Sequence, residues 1–170
     1  MCNTLNDIDG KCKDGFGEYL IVNKAVYYPF FGYSYRKPER GDIIVFHPPG
    51  DEEEFYIKRV IGLPGEKIKI QSGKVYLYDK EHPDGYELPE EYLSEENRNK
   101  TYAYPAHLAA TYEVPENEYF VLGDNRNRST DSRMCFKGIG SSACDEKNAH
   151  FLPFNLIEGK AQIVLWPFSK

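Results

Sequence analysis

Short runs of apolar and aromatic residues, many alternating with polar ones, recur along the chain from residue 18 onward. They cover 18–22, 25–29, 42–47, 55–62, 67–71, 74–78, 118–122 and 161–166, and their richness in Val, Ile, Tyr and Phe predicts strands. Turn signals bound them, among them Arg40-Gly41-Asp42, Leu63-Pro64-Gly65 and Ser72-Gly73. Over 67–78 the order Lys-Ile-Lys-Ile, a Ser-Gly turn, then Lys-Val-Tyr-Leu-Tyr predicts a hairpin with one wet face. No helical period persists beyond ten residues, and the polar, glycine-bearing first 17 residues are expected to be loop. The expected fold is all-β: antiparallel sheets, packed together or curled into a partly open barrel, with long connections.

One stretch breaks the pattern. Residues 79–117 are acidic and turn-rich, with Glu90, Glu91, Glu95 and Glu96 in a short span where a brief helix over 89–96 is expected. The stretch lacks the apolar residues of a second core, so the chain is expected to be one domain, 1–170, with a solvated excursion at 79–117.

Composition narrows the function. With 21 Lys and Arg against 27 Asp and Glu, the net charge of −6 argues against a nucleic-acid partner. The longest apolar stretches are four residues, against roughly 20 for a membrane-spanning helix, and the polar first ten residues are not a signal peptide. Neither cysteine pair, Cys2 with Cys12 or Cys135 with Cys144, has zinc-knuckle spacing, and no His lies in a ligand pattern beside them. No metal or other cofactor is expected. Local disulfides in an oxidising compartment and four reduced thiols in the cytosol fit the spacing equally well. A Cys135–Cys144 bond would add roughly 2–3 kcal/mol on a chain-entropy estimate.

Three blocks carry the chemistry. Arg40-Gly41-Asp42-Ile43-Ile44-Val45-Phe46 sets a charged turn before a strand apolar on both faces. Tyr56-Ile57-Lys58-Arg59-Val60-Ile61-Gly62-Leu63-Pro64-Gly65 puts two cations mid-strand, pointing to opposite faces. A cation held on apolar surface must be paired or neutral, and of the two only Lys can lose its proton. Lys58 is therefore the candidate basic amine. The third block, Gly123-Asp124-Asn125-Arg126-Asn127-Arg128-Ser129-Thr130-Asp131-Ser132-Arg133, is dense enough in charge to build interlocked ion pairs.

In this order the blocks resemble the type I signal peptidase family, serine/lysine peptidases that remove signal peptides from exported proteins. Met1-Cys2-Asn3-Thr4-Leu5 resembles the family's block after the nucleophile, 19–24 the strand that follows, and 158–168 the closing strand. The resemblance implies that Lys58 is the general base and that the Ser129 hydroxyl orients it by a hydrogen bond. It implies that Asp124 and Arg126, with Asp131 and Arg133, form an ion-paired scaffold that Arg59 joins. Tyr56 and Ile57 resemble the strand along which the substrate lies, and Leu5 and Val45 contribute small apolar pockets. The implied partners are signal peptides and a membrane surface, and the implied location is the outer face of the cytoplasmic membrane.

The family's nucleophilic serine stands immediately before the Met of the first block, which here is residue 1. The chain is therefore expected to lack nucleophile and anchor and to be inactive alone, either as part of a longer protein or as a true pseudoenzyme. Two rivals stand beside this reading. One is a self-cleaving repressor with a related dyad, against which the Gly-Asp-Asn-Arg box and the cysteines argue. The other is a non-catalytic cell-surface binding module using an aromatic patch from Tyr27, Tyr28, Tyr33 and Tyr35.

Overall fold

The computed structural model describes residues 7–8, 11–12, 20–28, 36–51, 53–104, 109–137 and 150–164. Among the described residues, twelve strands follow in chain order: β1 (Asp7–Ile8), β2 (Lys11–Cys12), β3 (Leu20–Asn23), β4 (Ile43–Phe46), β5 (Tyr56–Gly62), β6 (Lys67–Gln71), β7 (Lys74–Tyr78), β8 (Tyr86–Glu87), β9 (Ala110–Glu113), β10 (Glu118–Leu122), β11 (Leu152–Pro153) and β12 (Ile157–Val164). Single 3-10 turns occupy Ser132–Met134 and Phe154–Leu156. All pairings are antiparallel, in a six-stranded sheet ordered β11-β10-β5-β4-β12-β3, a four-stranded sheet ordered β8-β7-β6-β9, and the β1-β2 pair. The fold is all-β as expected, and its sheets do not close into a barrel.

The two-residue side-chain period divides the core. From β5 and β10, Val60, Tyr119 and Val121 pack with Ile44 and Phe46 on one face. Ile61, Phe120 and Leu122 pack with Ile68, Ile70 and Leu77 of the four-stranded sheet on the other. Burying both faces makes this strand pair the spine of the molecule. Gly62 sits where the sheets meet; a Cβ there would lie 2.9 Å from Ile68 Cγ1 and 3.0 Å from Phe120 Cβ.

Strands β6, β7 and β10 match the expected 67–71, 74–78 and 118–122. The Ser72-Gly73 turn has positive φ at both residues, the geometry a two-residue hairpin demands. Four expectations are corrected. Residues 25–28 of the strand expected at 25–29 form a turn, with the Tyr27 and Tyr28 amides donating to Lys24 O at 3.2 Å. β4 is buried on one face only, through Ile44 and Phe46. The helix expected over 89–96 is a series of turns. The segment expected to be solvated supplies β8 and β9 and sends Leu88, Leu93, Ala103, Tyr112 and Val114 into the core. Five scattered apolar residues have no recognisable period, so their inward direction is not visible in the sequence.

The aromatic patch is corrected too. Tyr27 is fully buried, its hydroxyl donating to Asp42 Oδ2 at 2.8 Å, and Tyr28 is half-buried; Tyr33 and Tyr35 lie outside the described residues.

Candidate active site

β4 pairs along β5 at Tyr56, Ile57, Lys58 and Arg59, whereas β10 pairs only with Arg59, Val60 and Gly62. Residues 56–58 thus keep one backbone edge without a strand partner among the described residues. Lys58 stands at that edge. Its Nζ donates to the Ile57 carbonyl at 3.1 Å and lies 5.0 Å from the centre of the Tyr56 ring. Burial pushes the amine below the ordinary lysine value; the carboxylates of Asp131 and Asp124 pull it back up and Arg133 pushes it further down. The neighbouring cation is handled differently. Arg59 forms a fork with Asp124, Nε to Oδ1 at 2.9 Å and Nη2 to Oδ2 at 2.7 Å, and donates to Gly41 O at 3.0 Å. The two adjacent cations of the motif meet the cost of burial by the two available routes, a lowered pKa and a bidentate partner.

The polar block 123–133 follows β10 and folds over this edge. Asp131 is buried and accepts from Gly123 N at 3.1 Å and from Arg133 Nε and Nη2, both at 2.9 Å. Burial alone would raise its pKa, but the Arg133 guanidinium and the Gly123 amide hold it below the usual carboxylate value. Arg133 Nη2 also donates to Arg126 O at 3.0 Å, and the Ser132 hydroxyl accepts from Val121 N at 2.9 Å, stapling the block to β10. Gly123 is fixed by sterics, since a Cβ there would lie 2.0 Å from Ser129 Oγ.

Tyr56, Lys58, Asn125, Ser129 and Thr130 line one cavity of about 330 Å³. Ser129 is thus beside the amine, but its Oγ is buried without a hydrogen bond of normal geometry, and the expected Ser129–Lys58 bond is not formed. Val45 and Ile57 are cross-strand partners on the opposite face of the sheet from Lys58 and do not line this cavity. Leu5 lies outside the described residues. Among the described residues, no group of three or more His, Cys, Asp or Glu could hold a metal ion, and no helix is long and apolar enough to cross a membrane.

One ion pair differs from expectation. Arg126 does not pair with Asp124. Its side chain is fully buried and its guanidinium grips Glu90, Nη1 to Oε2 at 3.0 Å and Nη2 to Oε1. The same guanidinium donates to the Thr101 hydroxyl, to the Tyr92 hydroxyl at 3.1 Å and to Gly123 O at 3.2 Å. The Tyr92 hydroxyl donates to Glu90 Oε1 at 2.8 Å, and the Tyr92 ring lies 4.0 Å from the Arg59 guanidinium carbon. Nearby, Asn127 Nδ2 donates to Glu96 O at 3.0 Å and Asn97 Oδ1 at 3.2 Å. Glu90, Tyr92 and Thr101 were not found from the sequence, because the glutamates around Glu90 look alike in a linear string.

Cys135, at the end of the 3-10 turn, is disulfide-bonded; Cys144, its expected partner, lies outside the described residues. His150 Nδ1 donates to Ser132 O at 2.7 Å, since a carbonyl can only accept, and this bond ties the start of β11 to the block.

The site is thus a half-buried lysine at an open strand edge, facing a carboxylate–guanidinium loop. The family model for signal peptidase, peptidase S26 matches residues 15–166. The chain belongs to this family. A Signal peptidase I of Rickettsia typhi is 35% identical over 151 aligned residues, covering 76% of this chain and 52% of the relative. A probable signal peptidase I-2 of Synechocystis is 33% identical over 156, covering 89% and 59%. The crystal structure of a signal peptidase I from Enterococcus faecalis covers 76% of this chain and all of that one, with 32% identity and a TM-score of 0.53. The chain spans about half the length of the curated relatives it matches. The matched region takes in Lys58, the loop 123–133 and the acidic segment that grips it.

Proposed function

We propose that this chain is the catalytic domain of an endopeptidase that removes signal peptides from exported preproteins at the outer face of the cytoplasmic membrane. Lys58 acts as general base for a serine nucleophile expected ahead of Met1. The observation that carries the reading is the half-buried Lys58 amine, depressed in pKa, at the stretch of β5 with one edge unpaired among the described residues. The substrate adds as an extended strand along that edge, which puts its scissile carbonyl beside the amine. Its alternate side chains then reach both faces of the sheet, the Tyr56 cavity on one and the half-buried Val45–Ile57 pair on the other. Small neighbouring residues in the substrate suit such shallow contacts.

In acylation, Lys58 Nζ takes the serine proton as the oxygen attacks the carbonyl, then returns it to the leaving amine as the peptide C–N bond breaks. In deacylation, the amine takes a proton from water as the water oxygen attacks the ester carbonyl. It then gives that proton to the serine oxygen as the ester C–O bond breaks and the acid product leaves. The base works only when neutral. Activity therefore rises with pH through a value below that of an ordinary lysine, and burial brings this value toward the working range. The test is cleavage of a preprotein with Ala at the first and third positions before the cut by the full-length protein. Lys58→Ala is expected to lower the rate by roughly 10²–10⁴-fold or beyond detection, with an unchanged thermal melt. Cleavage at the parent rate would overturn the assignment.

A further inference from the structure

Near Lys58, three carboxylates are each matched with a guanidinium. Asp124 belongs to Arg59, Asp131 to Arg133 and Glu90 to Arg126. The first two pairs come from the recognised blocks, and their carboxylates are the ones that act on the Lys58 amine. The third guanidinium, Arg126, lies in the same loop, two residues after Asp124 and five before Asp131. It is fully buried, so it must hold an anion. The anion it holds arrives from 36 positions upstream, in the acidic segment.

We infer that Glu90, with Tyr92 as its bridge, is a positioning residue of the active site: by occupying Arg126 it reserves Asp124 and Asp131 for Arg59, Arg133 and the Lys58 amine. The inference rests on Lys58 being the base. Tyr92 joins both halves of the device. Its hydroxyl sits between Glu90 and Arg126, and its ring covers the Arg59 guanidinium beside Lys58. Among the described residues, the charged and titratable groups facing the amine are Asp124, Asp131 and Arg133 from the loop, Arg128 at the cavity rim and Tyr56 from its own strand. Glu90 is not among them and acts through the Arg126 guanidinium that it grips.

The direction of the effect follows. Without the Glu90 charge, Arg126 stays buried and recruits Asp124 or Asp131. That carboxylate is then shared with a further cation and supports the Lys58 ammonium less, so the amine titrates at lower pH. A residue that merely held the fold together would lower stability without moving this titration.

The test needs no catalysis. Full-length protein is labelled with acetic anhydride, which acylates only the neutral amine and releases acetate, over a pH series. Acylation at Lys58 is read by mass spectrometry against Lys67 on the other sheet. In Glu90→Gln the Lys58 midpoint is expected to fall by roughly half a pH unit or more, while Lys67 does not move. Tyr92→Phe, which loses only the bridging hydroxyl, is expected to shift it less in the same direction. If Glu90→Gln does not fold, Glu90→Asp, which keeps the charge but shortens the reach, is expected to give a partial downward shift. An unchanged or raised midpoint in the folded variants, with only a lower melting temperature, would overturn the inference. A Lys58 that titrates with Lys67 in the unaltered protein would overturn the base assignment itself, and this inference with it.

Discussion

The loop 123–133 and the segment 79–104 are both polar, charged and rich in turns, yet only the first carries a recognisable pattern. The loop hangs from the end of β10 and, beside the long-range Arg59–Asp124 fork, is held by bonds that span few residues, Asp131 to Gly123 and Arg133 to Asp131. The segment has the opposite construction. Its important bonds are long-range: Glu90 to Arg126, Tyr92 to Arg59, Asn97 to Asn127. Local bonds leave a motif that can be recognised in a linear string, whereas remote ones leave isolated residues whose partners are found only in space. The difference is one of sequence separation, not of structural importance, because the two regions bury their charges together.

Three further changes test that contrast, beginning with the largest effect. Asp131→Asn removes the anion from a fully buried guanidinium pair and is expected to destabilise by about 3–5 kcal/mol, measured by urea unfolding. The sign with pH is fixed. Because the folded Asp131 pKa lies below the ordinary carboxylate value of 3.8, its contribution is complete above that value and is lost as pH falls through the folded one. The parent protein should therefore lose stability on acidification over a range where the variant changes less, and parallel curves would remove the pair from the account. Next, Gly123→Ala forces a methyl onto Ser129 and is expected to cost about 1–3 kcal/mol. Cleavage is expected to fall further than stability does, since the displaced residue lines the Lys58 cavity; equal losses would show that Ser129 only fills space. Last, Lys74→Ala breaks an exposed pair with Glu87 in the four-stranded sheet. No measurable change in the urea midpoint is expected. Any substantial loss there would mean that exposed and buried pairs of this fold do not differ as described.

Much of the fold was legible where alternation and turn chemistry agreed. The hairpin β6–β7 and strand β10 fall where the pattern puts them, because each has one face on the core and a clear stop at its end. β12 begins four residues before the expected 161, since Glu158, Gly159 and Lys160 do not look like a strand. Each has a reason that lies elsewhere in the chain. Lys160 reaches Asp42 Oδ1 at 2.6 Å, Glu158 accepts from Lys24, and a Cβ on Gly159 would lie 2.7 Å from Asn23 O. The turn at 25–28 misled for the same reason, because Tyr27 is aromatic to fill the core and reach Asp42. Of the site, the Lys58–Arg59 dilemma was visible from charge and alternation alone, and Asp124, Asp131 and Arg133 from the family's box. The Arg126 partner was not.

The order of strands in the larger sheet has a consequence for the timing of synthesis. β5, which carries Lys58, lies between β4 and β10, and β4 in turn needs β12 at residues 157–164 as its other neighbour. The ribosome has therefore translated almost all of this chain before the sheet beneath the lysine can be completed. Loop closure over such separations is slow and comes late in folding. The strand frame around Lys58 is therefore among the last parts of this sheet to be assembled, because its outer neighbour is also its last-made member.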